Sequence, residues 1–338
     1  MRAVRALALV ALLLEVSAVL SYPREAADDG VLSPQDVGRR GEASMLNDRP
    51  IIGILSQEVP RSLRRAFGNY TSYIAASYVK YWEAAGARVV PIRINQPRSY
   101  YRQLFSWLNG LVFPGGSAKL DVSGYGRAAR ILWDMAAQEP KDFFPIWGTC
   151  LGFELLTFLE LNERRLDRCK SQNQALPLEF TADGFTSRMF SGASKALLKA
   201  FMEQNVTINF HKYCVSPETY RNTSLSRNYR LIATNRDWDG QVFVSAFEHR
   251  IRPVYGVQFH PEKNIFEWGE KTSISAIPHW PEAIQASQYL ADFFISEVRK
   301  NRHRFPSAAE EHKHLIYNYK TEYTGLIGSV FVQCYLFD

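Results

Sequence analysis

Pro145-Ile-Trp-Gly-Thr-Cys-Leu-Gly-Phe-Glu154 places a cysteine between two glycines, with an apolar run on either side. Residues 143–147 are typical of a short buried strand, and the apolar residues after the cysteine recur at helical spacing. A cysteine that only packs in a core needs neither glycine, whereas a sharp strand-to-helix turn uses both. The stretch therefore predicts a nucleophile elbow, with Cys150 at the tip of a strained turn.

The same alternation of apolar strands and helices runs through the first half of the chain. It predicts an α/β fold, a three-layer α/β/α sandwich with a mainly parallel central sheet covered on both faces. Closely spaced strand patterns in the second half predict an antiparallel extension of that sheet. The strand patterns lie at residues 50–56, 88–94, 110–116, 143–147, 206–210, 229–233, 241–247 and 254–259, and the helical ones at 72–85, 100–108, 124–138 and 281–299.

Cys150 is predicted to lie at a helix N-terminus, where the helix dipole and free N–H groups favour a thiolate. The backbone N–H of Leu151 can point at an oxyanion. The glycine turn after the neighbouring strand is the candidate for a second donor, so Gly115, Gly116 and Leu151 are the expected oxyanion hole. The alternative for Gly115-Gly116 is an ordinary turn.

A thiol nucleophile needs a base, and of seven histidines His260 has the most suggestive context. It closes an apolar strand, and strand ends are where sites form in parallel sheets. Glu262 lies two residues on, on the same side of an extended chain, where a carboxylate can orient the imidazole. Glu154, one helical turn after Cys150, is either a wall of the site or an acid that complements the helix dipole.

The N-terminal residues differ from the rest. Residues 1–21 combine a basic start, a short apolar run and small residues, which predicts a secretory signal peptide rather than the alternative, a membrane anchor. Residues 22–48 are polar and are interpreted as a flexible leader, followed by one domain over residues 49–320 and a C-terminal tail over 321–338. Three glycosylation sequons, at Asn69, Asn205 and Asn222, agree with secretory entry and with a lysosomal or extracellular location.

Composition excludes several classes of function. The net charge of +6 comes without an aromatic-interleaved basic motif, so no nucleic-acid partner is expected. No later segment is apolar enough to span a membrane. The four cysteines show no zinc-ligand spacing, and we expect no metal; if Cys150 stays a free thiol, at most one disulfide forms among the other three.

Gly148-Thr-Cys-Leu-Gly152 and Gly256-Val-Gln-Phe-His-Pro-Glu262 together resemble the class I glutamine amidotransferase superfamily. Further blocks at residues 50–57, 111–117, 209–211 and 316–319 look like the gamma-glutamyl hydrolase family. The resemblance covers roughly residues 50–320 and weakens after residue 324.

The resemblance implies a flavodoxin-like fold and a cysteine peptidase, without metal or organic cofactor, that cleaves γ-glutamyl bonds of folylpoly-γ-glutamates and antifolate polyglutamates. It also implies a homodimer located in lysosomes or secreted. The matching positions are Cys150 as nucleophile, His260 as general base and acid, Glu262 as third triad member, and Glu154, His211 and Gln258 as supporting residues.

Three other interpretations remain at this stage. A glutamine amidotransferase subunit would share the Cys-His-Glu chemistry but would need a synthase partner to receive ammonia. A catalytically inactive binding protein on the same fold would be expected to lack the nucleophile or the base, and both are present. Cys150 as an ordinary core thiol is the base-rate interpretation, but it leaves the two glycines and His260 unexplained.

Overall fold

The computed structural model describes residues 46–269 and 271–338. The predicted signal peptide and nearly all of the predicted leader lie outside the described residues. The strands are β1 (Ile51–Leu55), β2 (Gln57–Glu58), β3 (Ser72–Ala75), β4 (Arg88–Ile92), β5 (Gly110–Phe113), β6 (Ile146–Thr149), β7 (Asp167–Leu176), β8 (Glu179–Phe180), β9 (Thr207–Cys214), β10 (Tyr229–Arg236), β11 (Val242–His249), β12 (Val254–Val257), β13 (Thr321–Glu322) and β14 (Cys334–Phe337).

Helices connect most of these strands. They are α1 (Arg61–Phe67), α2 (Ala76–Ala84), α3 (Arg98–Trp107), α4 (Gly124–Gln138), α5 (Leu151–Leu161), α6 (Ala182–Phe185), α7 (Lys195–Glu203), α8 (Pro217–Arg221), α9 (Leu225–Asn228), α10 (Pro261–Phe266), α11 (Pro281–Val298) and α12 (Ala308–His314), with 3-10 turns at Thr272–Ile274, Ile316–Asn318 and Thr324–Ile327. Among the residues that the structure describes, no helix is long and apolar enough to cross a bilayer.

The central sheet has the order β4-β1-β5-β6-β12-β11-β10-β8. The first five strands are parallel, and the last three are joined antiparallel. Numbered along the chain, the five parallel strands stand in the order 2-1-3-4-5, which is the flavodoxin-like order. The predicted mainly parallel sheet with an antiparallel extension is confirmed.

Two hydrophobic cores lie on opposite faces of this sheet, because alternate residues of a strand point to opposite sides. Ile52 and Ile54 of β1 pack in the core that contains Trp82 of α2 and Phe294 of α11. Ile51 packs in the other core, to which α3, α4 and α5 contribute their apolar residues. This arrangement is the predicted three-layer sandwich.

The predicted helix over residues 72–85 is two elements, β3 followed by α2. Residues of β3 are strand because they pair with β2 on one side and with β14, from the end of the chain, on the other. The predicted tail over residues 321–338 thus carries β13 and β14, and Phe337 is 1% exposed. The predicted domain boundary at residue 320 stays a prediction.

A two-stranded ribbon formed by β7 and β9 stands apart from the central sheet. Cys169 and Cys214 form a disulfide across its end, and Cys150 and Cys334 are free, buried thiols. The ribbon matters for the site because β9 carries Phe210 and His211.

Glycine sets the distance between α5 and the sheet. A Cβ on Gly152 would lie 1.8 Å from the backbone oxygen of Phe113 in β5, and one on Gly148 would lie 2.6 Å from the backbone oxygen of Gly152. Backbone atoms of a central strand cannot move aside cheaply, so both positions exclude a side chain. The two glycines of the opening stretch are therefore required by packing around the turn.

We expect Gly152→Ala to destabilise the protein by about 3 kcal/mol or more, because the new methyl group meets β5 rather than a flexible side chain. Gly192→Ala is the matched control, since its Cβ would meet no atom closer than 3.9 Å. Urea unfolding of both variants measures the difference. Equal unfolding midpoints would contradict this account of the turn.

Candidate active site

Cys150 stands between β6 and α5 in a strained backbone conformation. Its φ is 51° and its ψ is −105°, a region that a non-glycine residue occupies only under constraint. The constraint includes a hydrogen bond from the Cys150 N–H to the carbonyl oxygen of Val257 in β12, at 2.9 Å. The predicted elbow is present, and its tip is 5% exposed.

His260 follows β12, the strand next to β6 in the sheet. Its Nδ1 lies 2.7 Å from Oε1 of Glu262, and both side chains are buried. The sequence predicted an extended His-Pro-Glu segment. In the structure Pro261 instead begins α10, so Glu262 lies in the first helical turn. Proline is favoured at this first position because its missing N–H would have no helical partner.

Gly115 shows that the cysteine and the histidine converge. A Cβ on this glycine would lie 2.7 Å from Cε1 of His260 and 3.2 Å from Cβ of Cys150. Both side chains therefore approach the same point of the turn after β5. The structure brings together the three predicted triad residues from β6, β12 and α10.

Burial dominates the electrostatics of this group. It raises the pKa of the Cys150 thiol well above its usual value, and the carboxylates of Glu154 and Glu262 raise it further. Burial also lowers the pKa of His260, against the opposing influence of Glu262. Burial thus disfavours the charged forms of both side chains and opposes the thiolate that the helix position favours. The pKa of Glu262 is lowered: burial would raise it, but His260 outweighs that effect and keeps it charged.

Tyr78 of α2 belongs to the site and was missed by the sequence analysis. Its hydroxyl accepts a hydrogen bond from the Gly115 N–H at 2.8 Å and lies 3.3 Å from Nδ1 of His260. Burial raises the pKa of Tyr78, so the hydroxyl stays neutral. A tyrosine in an apolar helical stretch looks like a core residue, and only the packing of α2 against α10 reveals its position.

The hydrogen bond between Gly115 and Tyr78 changes the expected oxyanion hole. The Gly115 N–H is donated to Tyr78, whereas Gly116 and Leu151 both line the cavity beside Cys150. Leu151 also contributes a backbone N–H that lowers the pKa of Cys150 against the effect of burial. Gly116 and Leu151 are thus better placed than Gly115 to supply free amides to the cavity, and the role of all three residues stays a prediction.

Of the three predicted supporting residues, Glu154 and His211 line the cavity at Cys150, and Gln258 contacts Glu154. Nε2 of Gln258 donates to Oε1 of Glu154 at 3.3 Å, and burial raises the pKa of Glu154 to about 8. Nδ1 of His211 lies 3.0 Å from the carbonyl oxygen of Tyr213, so Nδ1 carries the proton. Burial lowers the pKa of His211 to about 3. Within the described residues, Nε2 of His211 and Oε1 of Gln258 have no hydrogen-bond partner.

A cavity of about 740 Å³ opens on Cys150. Glu154 and His211 form part of its wall. Three basic side chains also line it, and all three are exposed to solvent: Lys119, Arg164 and Lys212. Arg164 lies over the ring of Tyr213 at 4.6 Å, which orients its guanidinium at the edge of the cavity.

Asn69, Asn205 and Asn222 are all exposed, so each predicted sequon is accessible to solvent. In the described part of the chain, no group of three or more His, Cys, Asp and Glu side chains is arranged to bind a metal ion.

A cysteine elbow beside a His–Glu pair, on a flavodoxin-like sheet, defines an enzyme that transfers acyl groups through a cysteine. Residues 50–262 match the family model for Peptidase C26. The chain is 44% identical over 294 residues to the gamma-glutamyl hydrolase of Homo sapiens, covering 86% of this chain and 90% of that protein. This chain belongs to the gamma-glutamyl hydrolase family, peptidase family C26.

A more distant plant relative belongs to the same family. Gamma-glutamyl hydrolase 1 of Arabidopsis thaliana is 35% identical over 325 residues, covering 92% of this chain and 91% of that protein. Among solved structures, a glutamine amidotransferase of Thermotoga maritima aligns with a TM-score of 0.43 and 12% identity, over 75% of this chain and 99% of that one.

We expect kcat/KM to fall on the acid side with a midpoint below the ordinary histidine pKa of about 6.5, because burial lowers the pKa of His260. Glu262→Gln removes the charge that raises this pKa, so the midpoint moves to still lower pH. The weaker base lowers kcat by about 100-fold or more. The pH–rate profile measures both effects, with Glu163→Gln, an exposed carboxylate, as the control. An unchanged profile for Glu262→Gln would contradict the assigned pair.

Proposed function

We propose that this chain is a cysteine-dependent hydrolase that cleaves γ-glutamyl bonds, with folylpoly-γ-glutamates and antifolate polyglutamates as its substrates. The observation that carries the proposal is the meeting of Cys150, His260 and Glu262 at one edge of the sheet, in a family whose members are gamma-glutamyl hydrolases. The proposed activity needs only an acylatable thiol, a base and water.

The reaction proceeds in two acyl-transfer steps. As Sγ of Cys150 attacks the γ-carbonyl carbon, its proton moves to His260, and the charge of Glu262 stabilises the imidazolium. The N–H groups of Leu151 and Gly116 bind the oxyanion. The C–N bond then breaks, and His260 returns the proton to the leaving amine, which leaves a thioester on Cys150.

Water completes the cycle. His260, neutral again, takes a proton from a water molecule that attacks the thioester carbon. The C–S bond breaks, the γ-carboxyl product leaves, and the proton returns to the cysteine sulfur. Because both half-reactions need a neutral imidazole at their start, the lowered pKa of His260 extends activity to acidic pH.

The walls of the cavity suit a γ-linked glutamate chain. Each residue of such a chain carries an α-carboxylate and an amide N–H. Lys119, Arg164 and Lys212 supply positive charge for the carboxylates. The unpartnered Nε2 of His211 is an acceptor for an amide N–H. A protonated Glu154 avoids adding a negative charge where the carboxylates would lie.

We also infer a secreted or lysosomal glycoprotein that acts as a homodimer. The signal-peptide pattern, the three exposed sequons and the Cys169–Cys214 disulfide support an oxidising secretory compartment. The activity that we expect at acidic pH would suit a lysosome. The homodimer rests on the family resemblance, and sedimentation equilibrium of the secreted protein tests it.

The proposal is tested by incubating the native protein and Cys150→Ala with pteroyl- or p-aminobenzoyl-poly-γ-glutamate and separating the products by chromatography. We expect free glutamate or shortened γ-glutamyl chains from the native protein and none from the variant, because only Cys150 forms the thioester. Cys334→Ala, which removes the other free thiol, is the matched control and should cleave normally. Free glutamine is incubated with the native protein in parallel, and the release of ammonia is measured.

Absence of cleavage by well-folded native protein would overturn the proposed substrate. Release of ammonia from glutamine, with polyglutamates left intact, would instead identify an amidotransferase-type glutaminase.

A further inference from the structure

A buried lysine lies directly beside the catalytic pair, and the reaction described above does not use it. Lys263 follows Glu262 in α10 and is 3% exposed. Burying an ammonium group carries a large solvation cost unless nearby groups compensate. The burial of Lys263 is therefore unfavourable by itself, and the residues around its side chain indicate its role.

Two aromatic rings face the ammonium group. Nζ of Lys263 lies 4.4 Å from the ring centre of Phe331 and 5.3 Å from that of Phe210. In the described part of the chain, no carboxylate forms a salt bridge with Lys263, although Glu262 and Glu267 are near enough to interact with its charge. A cation over ring faces is attracted by their negative π-clouds, and its field also reaches neighbouring groups.

The catalytic residues are among those neighbours. The ring of Phe210 packs edge-on against the imidazole of His260, with centroids 5.9 Å apart. Burial has the largest effect on the pKa of Cys150, His260 and Glu262. The charge of Lys263 makes a smaller contribution that lowers all three. The titratable groups on which this charge acts, on its own and the surrounding elements, are Cys150, His260, Glu262, Glu267 and Cys334.

The C-terminal segment, residues 321–338, covers this lysine. Phe331 belongs to the segment, and the backbone N–H of the next residue, Val332, donates to Oε2 of Glu267 at 2.7 Å. Glu267 is the residue that follows α10 and is 1% exposed. This hydrogen bond fixes the segment to the C-terminal end of the helix that carries Glu262 and Lys263.

We propose that Lys263 is a positioning cation of the active site. The rings of Phe210 and Phe331 fix its ammonium group, and the C-terminal segment keeps water away from it. Its charge favours the anionic form of Cys150 during acyl transfer. The inference deepens the proposed function and rests on it for its substrate. The alternative is a lysine whose aliphatic stem merely fills space in the core.

Lys263→Met distinguishes a positioning cation from a packing residue, because methionine keeps the apolar stem and removes the charge. Lys263→Arg keeps the charge. Two readouts are measured against pH: kcat/KM on a γ-glutamyl substrate, and the rate at which iodoacetamide alkylates Cys150, followed by mass spectrometry of the peptide. Lys199→Met, an exposed lysine of α7, is the control.

We expect Lys263→Met to move the acid limb of kcat/KM and the alkylation curve to higher pH, each by on the order of one unit, since both His260 and Cys150 lose a nearby cation. Lys263→Arg and Lys199→Met should leave both curves in place. Phe331→Leu should move them in the same direction by a smaller amount, because water then reaches and screens the ammonium group.

A Lys263→Met protein that loses activity with neither curve moved would overturn the proposal and leave Lys263 a packing residue. If that variant fails to fold, Phe331→Leu decides: unmoved curves overturn the proposal, and shifted curves support it. If the native protein cleaves no γ-glutamyl substrate, the proposed function fails, but alkylation still determines whether Lys263 acts on Cys150.

Discussion

The strained backbone at Cys150 is the constraint on which the rest of the site depends. A residue with φ of 51° and ψ of −105° reverts to a relaxed conformation unless its surroundings prevent it. The hydrogen bond to Val257 ties the turn to β12, and the missing side chains of Gly148 and Gly152 allow α5 to lie against β5. The stability of two neighbouring strands and a helix thus maintains the position of one sulfur atom.

The same hydrogen bond to β12 determines the position of His260. The N–H of Cys150 is hydrogen-bonded to Val257, the last residue of β12. His260 lies three residues after Val257 and is therefore placed beside Cys150. α10 then begins at Pro261 and presents Glu262 to the imidazole. Deep burial disfavours the charged forms of the thiol and the imidazole, so the charges of Glu262 and Lys263 matter most when the proton moves between them.

Local patterns were enough to predict the parallel sheet, the elbow and the convergence of Cys150 and His260, because apolar periodicity and the Gly-x-Cys-x-Gly spacing are properties of short segments. Contacts between distant segments were not accessible in that way. Tyr78 reaches Gly115 only through the packing of its helix. Residues 72–75 form a strand because the far end of the chain pairs with them. The polar β7 was not predicted, since it pairs outside the central sheet and shows no buried-strand pattern.

The most direct test of this account is the mass of the enzyme during turnover. A reaction with a poly-γ-glutamate substrate, quenched in acid within milliseconds and digested, should yield the peptide containing Cys150 with the added mass of a γ-glutamyl acyl group. Treatment with hydroxylamine should remove that mass, as expected of a thioester. An unmodified Cys150 peptide under conditions of rapid cleavage, or an acyl group on another residue, would contradict the central role of this turn.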